Sequence, residues 1–489
     1  MSFPSSPRTP RPEYDAVVVG SGPNGLAAAA LLGRRGWKVL VIEAASTPGG
    51  GTRTEALTLP GFLHDVCSAV HPTGAASPCF QMLELEKEGV RWLHPAIPLA
   101  HPLDGGDAAV LHRSVAETAA GLGGDALAYH LVFEALAGRA ADLFPDVLNP
   151  LGWPRHPLLM ASFGARAALP ATLLAGLAFR GDRARALFAG NAAHSVMPLE
   201  APFTSAIGMM LQLSAHAVGW PVAEGGSRKI TDALLAIVKR QGGDLVCDWR
   251  VRALEELPPS RAVLFDTTPG ELARICGDAL PASYRRRLVS FRHGPGVFKV
   301  DYALSGPVPW LSAACREAGT VHVGGTLEEI ALAERETFEG RQPERPFVLV
   351  AQPSVCDPLR APEGGHVLWA YCHVPHGATR DVLPLIESQI ERFAPGFRDL
   401  VLARHCMDAA AMERHNPNYT GGDITGGMAD WSQLLTRPVA SPNPWATPNP
   451  RLFLCSSSTP PAGGVHGMCG AHAARAVLRR WDDPSRVKN

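Results

Sequence analysis

The 489-residue chain has no CxxC pair, no dense run of lysine or arginine, almost no net charge and no second copy of its glycine fingerprint. Each absence removes a class of function. With 45 Lys+Arg against 46 Asp+Glu the formal charge is −1, so no long-range field draws the chain to nucleic acid or to an acidic membrane. The ten cysteines stand singly, Cys67 and Cys79 being nearest to each other. That pattern supports neither a metal site nor a dithiol redox centre, and the thiols read as small core residues in a reducing compartment. The most lipophilic stretch, 157 to 179, has Arg166 and Pro170 at its centre, so a membrane-spanning helix is not expected. It reads as a helix pair along an apolar tunnel, a surface patch dipping into a membrane, or a buried helical hairpin. Residues 1–12, MSFPSSPRTPRP, have no apolar core; they read as a disordered tail rather than a secretory signal, which places the protein in the cytoplasm.

What is present centres on residues 14 to 54. Asp15 to Val19 is a short, mostly β-branched run that predicts a buried strand. Gly20-Ser21-Gly22-Pro23-Asn24-Gly25 follows and fits G-x-G-x-x-G. Leu26 to Arg35 predicts a helix closed by Gly36, and Lys38 to Ile42 a second strand with Glu43 at its carboxyl end. In a dinucleotide site the first glycine permits the tight turn, the second lets the backbone approach a pyrophosphate, and the third lets helix pack on strand. The helix N-terminus offers free N–H groups and a positive dipole end to phosphates. Glu43 stands near the spacing of about 20 residues at which an acid holds ribose hydroxyls, and a carboxylate there argues against NADP. Together, strand, turn, helix and acid specify a nucleotide site. Gly49, Gly50, Gly51, Thr52 and Arg53 come next, a turn that suits close passage of a bound cofactor, with Arg53 free to meet an oxygen.

Further on, the turn-rich stretch 58–78 reads as a loop over the cofactor, carrying His64 and His71. Ser114 to Glu117 is a capping-box pattern, and Gly121 to Gly124 a helix–helix turn with Asp125 capping the next helix. Residues 194–210 add His194, Met209 and Met210 to an apolar region. Lys229 to Arg240 predicts an amphipathic helix; 244–248, 251–254, 262–266, 298–302, 347–351 and 366–373 predict strands, and 383–393 a helix. The alternation at 298–302 exposes Lys299 and Asp301 on one face. NPNYTGGDITGG, 416–427, reads as a lid or a surface turn. Residues 451–479 repeat the strand, glycine turn and helix order, with backbone donors from Gly464 to Met468 at a helix start.

The segments GSGPNGLAAAALL, EAASTPGGGTRT, GFLHDVCSAVHP, WPVAEGGS, GVFKVDYAL, NPNYTGGDITGG and CSSSTPPAGGVHGMCGAHAA together resemble the phytoene desaturase-like flavoproteins of the amine-oxidase superfamily. Within these, the likeness is to the subgroup that includes the pyridine nucleotide-disulphide oxidoreductase domain-containing protein. The resemblance implies an α/β fold with a Rossmann-like FAD-binding domain of the two-dinucleotide-binding-domain type and a discontinuous α+β substrate domain. It implies FAD-binding segments 14–80, 225–290 and 440–489 after a tail at 1–13, and substrate segments 81–224 and 291–439. By position, Gly20, Ser21, Gly22, Pro23, Asn24 and Gly25 meet the pyrophosphate, Glu43 and Ala44 the adenosine ribose, and Gly50, Gly51, Thr52 and Arg53 the central phosphates or flavin. Val251 clamps adenine, and Gly464, Val465, His466 and Met468 approach the flavin ring. The resemblance places Lys299 near the strand that carries a flavin-N5 lysine in amine oxidases; His466 and His71 are the other candidates for chemistry. Two departures stand out. Cys455-Ser456-Ser457-Ser458 shows no aromatic cage, and the chain ends in the polar WDDPSRVKN rather than a hydrophobic segment.

The expectation is an FAD-dependent oxidoreductase moving hydride from an apolar, unsaturated or isoprenoid-like substrate to flavin N5, with oxygen or a quinone as acceptor. A redox-neutral isomerase fits the same residues. The alternatives are a flavin amine oxidase and a non-catalytic flavin-bound interaction protein. A homodimer and peripheral membrane contact are compatible with this reading; nucleic acid is not.

Overall fold

Valines 17 to 19 and the run Val39 to Ile42 are almost wholly buried, as central strands covered on both faces must be. In the computed structural model, which describes residues 13–149 and 152–481, they form the heart of a five-stranded sheet. Its order is Leu452–Leu454, Ser260–Phe265, Tyr14–Val19, Val39–Ile42, Asp244–Val246, all parallel. The first strand leads through Gly20, at φ +103°, into the helix Pro23–Gly33. Alanines 27 to 30 give that helix a thin waist on which two others pack: Arg228–Arg240 and Met468–Trp481. The second contact is so close that a Cβ on Gly470 would come within 1.9 Å of the Asn24 carbonyl oxygen. The expected strand at 251–254 does not form. Val251 is coil and a 3₁₀ turn, Leu254–Glu256, follows it.

A seven-stranded mixed sheet faces this layer. Its order is Val401–Met407, Gly296–Leu304, His366–Val374, Val348–Ala351, Ala318–Val323, Ile97–Pro102, Ala108–Leu111, antiparallel except where 318–323 meets 97–102. Phe298, Val300, Tyr302 and Leu304 point into a core with Trp310 and the helix Leu383–Phe393. Lys299 and Asp301 share the opposite face, as the alternation predicts. That face is not exposed: both residues are buried, and Lys299 Nζ donates to Asp301 Oδ2. Trp369 and Tyr371, paired with Asp301 and Lys299 across the strands, lie beside them.

The layers are joined by a buried ionic cluster. Arg360, with no exposed surface, reaches Asp65 at 2.9 Å and Asp357 at 2.8 Å. Asp65 also accepts the Ser227 N–H at 2.7 Å and the Thr54 hydroxyl at 2.8 Å, and Asp357 accepts the Gly225 N–H at 2.7 Å. Burial pushes the Asp65 carboxyl up, but Arg360 and these donors hold it below the usual range.

The lipophilic stretch folds as two helices, Pro157–Ala167 and Ala171–Ala178, bent by 99° at Leu169-Pro170. Leu159, Phe163, Ala171 and Leu174 are buried in the core, while Leu158, Leu173 and Leu177 are exposed. Among the described residues, no single helix is long and apolar enough to cross a membrane. Asp125 does not cap its own helix; its carboxylate accepts the N–H groups of Arg180 and Gly181, at 2.9 and 2.7 Å. The ten cysteines are free. Residues 1–12 of the expected tail and the polar end 482–489 lie outside the described residues.

Candidate cofactor and substrate site

A cavity of about 640 Å³ runs from the carboxyl ends of the parallel strands to the inner face of the seven-stranded sheet. Gly20, Ser21, Gly22, Pro23 and Asn24 line its first part. Opposite them come Gly50 and Gly51, where a Cβ on Gly50, at φ +53°, would lie 3.0 Å from the Gly22 Cα. Two turns that close leave room for a phosphate chain only because neither bears a side chain.

Glu43 is buried at the end of its strand and lines the cavity with Ala44. Its Oε2 accepts the Ser21 N–H at 3.0 Å and the Ser21 hydroxyl, and its Oε1 accepts the Ala45 N–H at 2.9 Å. Arg53 approaches Oε1 at 3.6 Å and donates to the Thr47 carbonyl at 2.8 Å. The Arg53 Nε and the Asn24 Oδ1 are buried with no protein partner. Orphaned polar atoms beside a glycine cradle, at a helix N-terminus, fit a dinucleotide diphosphate. Val251 and Trp249 line the wall beyond Glu43. Gly25 and Thr52 stand behind the wall. Gly25 is covered by Asp266, and Thr52 donates to the Gly49 carbonyl at 2.8 Å and meets Thr231 at 2.8 Å.

At the final turn Gly464 and Val465 line the cavity, with Ala462 and Gly463. His466 and Met468 do not. The Met468 N–H is taken by His466 Nδ1 at 3.1 Å, and the His466 carbonyl accepts the Ser77 hydroxyl. These bonds fix the turn and leave neither group facing the cavity. Burial lowers His466 to about 4 and raises the Cys469 thiol to about 12, so both are neutral.

The distal chamber is walled by Met210, Trp220, Leu349, Trp369, Tyr371 and Tyr419, with Cys67, His194 and Thr320 between them. Trp369 and Tyr371 meet edge-to-face with centroids 5.0 Å apart, a favourable aromatic geometry. Trp220 Nε1 donates to Thr320 Oγ1 at 2.8 Å. Tyr419 comes from the glycine-dense loop, which lines the cavity and is not a plain surface turn. Its Asp423 is buried and accepts the N–H groups of Gly294 at 2.9 Å and Gly427 at 3.0 Å. His194 Nε2 and His322 Nε2 lie 3.0 Å apart, and burial lowers His194 to about 3. The acids on the cavity wall are Glu43, Asp266 and Glu271, all at the nucleotide end.

Lys299 and His71, the other residues expected to carry chemistry, are not part of this wall. Lys299 lies behind Trp369, its Nζ 5.8 Å from the ring centroid. His71 is buried and lowered to about 4 by burial, its Nδ1 3.4 Å from the Ser68 hydroxyl. The two helices at 157–178 contribute nothing to the wall either, so they do not line a tunnel. Sequence reasoning misses Trp369, Tyr371 and Asp266. The first two alternate along a strand with apolar neighbours, which reads as core. Asp266 follows a strand in the way Glu43 does, and that parallel is the signal that finds it.

Residues 18–84 match the model of the NAD(P)-binding Rossmann-like domain family. The chain is 26% identical to the mouse pyridine nucleotide-disulfide oxidoreductase domain-containing protein 2, over 96% of this chain and 94% of the relative. It is 33% identical to one of the subunits of limonene dehydrogenase from Castellaniella defragrans, over 20% of this chain and 18% of that one. Among solved structures, an oxidoreductase from Methanosarcina mazei superposes with a TM-score of 0.65 at 16% identity, covering 95% of this chain and 99% of the other. Putrescine oxidase bound to putrescine superposes with a TM-score of 0.61 at 17% identity, covering 96% and 99%. The chain is thus homologous to the mouse protein along nearly its whole length and has the fold of these oxidoreductases, including the amine oxidase.

Proposed function

We propose that the protein is an FAD-dependent oxidoreductase whose substrate is a neutral, apolar small molecule of unsaturated or isoprenoid kind. The observation that carries this reading is the continuity of one cavity from a glycine-built phosphate site to an aromatic chamber without a carboxylate. When bound, FAD supplies a hydride acceptor at flavin N5. The chain's own residues do the rest. Gly22, Gly50 and Arg53 hold the diphosphate, Glu43 the ribose, and Val251 the adenine. Trp369, Tyr371 and Tyr419 orient the substrate and keep water from it. His194 is uncharged and no acid stands on the chamber wall, so a cationic substrate would have only aromatic faces there to offset its desolvation. On this reading Lys299 is a positioning residue, its Nζ 5.8 Å from the Trp369 ring centroid, and does not touch substrate. The local likeness to part of limonene dehydrogenase, named for a hydrocarbon, agrees with it.

The fold shared with putrescine oxidase and the Trp369–Tyr371 pair favour a second reading, oxidation of a C–N bond. An ammonium substrate would gain from a carboxylate nearby, and the chamber wall offers none. An anaerobic experiment separates the two: the yellow protein is mixed with apolar isoprenoids and, separately, with a panel of amines. Loss of flavin colour with the isoprenoids is the expected result. Loss with amines alone overturns the proposal in favour of the second reading.

A further inference from the structure

Asp266 ends the strand Ser260–Phe265 and reaches into the fingerprint turn from the neighbouring strand. Its Oδ2 accepts the Gly25 N–H at 2.9 Å, one of the donors at the start of the helix Pro23–Gly33. A Cβ on Gly22 would sit 2.6 Å from the same oxygen; one on Gly25 would sit 3.0 Å from the Asp266 Cβ, and one on Gly20 2.7 Å from its carbonyl. The three fingerprint glycines therefore make room for this side chain as well as for a phosphate. Asp266 is 7% exposed, and that remainder opens on the cavity. A carboxylate and a diphosphate would then compete for one positive helix end in a site of low dielectric.

We propose that Asp266 is a proton-linked control on cofactor affinity: its carboxyl is neutral when the dinucleotide diphosphate is bound and ionised when the site is empty at alkaline pH. The inference rests on the FAD reading above. The groups facing Asp266 all favour the neutral carboxyl or are neutral themselves. Glu43, from the adjacent strand, is an acid; Cys455, from the last strand, and Cys469, from the final helix, are thiols kept protonated by burial. Asn418, from the glycine-dense loop, donates to the Asp266 carbonyl at 3.0 Å and carries no charge. Glu271, further along the wall, is paired with Arg274 at 2.6 Å. Burial first, then Glu43, raises Asp266 to about 7, against the pull of the Gly25 and Gly22 N–H groups. Below that pH the diphosphate meets a neutral group. Above it, binding must take up a proton, and affinity falls by up to about tenfold per pH unit.

The test uses the full-length protein with its flavin, diluted into buffers from about pH 6 to pH 9, with release followed by flavin fluorescence. The diphosphate is fully ionised across this range. The apparent Kd is expected to be flat to about pH 7 and then to rise by up to about tenfold per unit. Asp266→Asn keeps the shape and removes the charge; its Kd should stay nearly flat and be at least about tenfold tighter than wild type at about pH 8.5. Calorimetry of FAD binding to the wild type at about pH 8, in two buffers of different ionisation enthalpy, should show uptake of close to one proton. This measurement decides the matter alone if Asp266→Asn does not fold. A wild-type Kd independent of pH, a slope unchanged in Asp266→Asn, or no proton uptake overturns the proposal while leaving FAD as the cofactor. If neither protein holds FAD at any pH, the cofactor reading itself falls, and this inference with it.

Discussion

The parallel sheet meets the cavity with the ends of its strands, whereas the seven-stranded sheet meets it with a face. At the strand ends the wall is made of backbone turns, a helix N-terminus and the acids Glu43 and Asp266. On the face it is made of alternate side chains, Leu349, Trp369 and Tyr371, standing up from neighbouring strands. The first kind of wall depends on glycine spacing and tolerates almost no change. The second can be rebuilt residue by residue without moving the backbone, as a pocket that distinguishes substrates requires.

Acid offers the largest test of this division. On the chamber side burial lowers His101 and His216 to about 4, His194 to about 3 and His322 further still, and these outnumber His466 and His472, lowered to about 4 beside the parallel sheet. Unfolded, each binds a proton near about pH 6.5, so their contribution is intact above that pH and is lost as pH falls. The loss is roughly 1.4 kcal/mol per pH unit for each histidine. Hydrogen exchange between about pH 6.5 and pH 4.5 should therefore show strands 97–102 and 318–323 losing protection before strand 14–19; the reverse order would break the comparison.

Next in size is the cluster that joins the layers. Arg360→Ala leaves Asp65 and Asp357 buried without their cation and should cost about 3–5 kcal/mol in denaturant melts. Gly470→Ala forces a methyl group into the Asn24 carbonyl and should cost about 1–3 kcal/mol, with loss of bound flavin because the fingerprint helix shifts. The smallest effects sharpen the comparison most. Glu43→Gln should weaken FAD binding by about tenfold, the worth of one charged hydrogen bond, measured by flavin release. Tyr371→Phe should leave flavin content unchanged and alter only the rate with substrate.

The nucleotide half is legible because its signals are local. Strand, turn, helix and acid all fall between Tyr14 and Glu43, and the expected helix 383–393 and strand 366–373 also match the observed bounds to within a residue. Val251 stands on the cavity wall, although no strand runs through it. The chamber is not legible, because its members meet only through register. Nothing near Tyr371 shows that Leu349 stands opposite it, or that Lys299 on the next strand is sealed behind Trp369. His466 is a different case: its ring is spent locally, on the Met468 N–H two residues on.

The closeness of Gly470 to Asn24 has a consequence for how the chain is made. The fingerprint helix is synthesised long before one of its packing partners, Met468–Trp481. Domains emerge and fold from the N-terminus at about 5–20 residues per second, so an apolar face of that helix waits uncovered for tens of seconds. The seven-stranded sheet, complete by Met407, has all its strands on hand before the dinucleotide layer can close. In order of synthesis, then, every strand of the seven-stranded sheet precedes the last packing partner of the fingerprint helix.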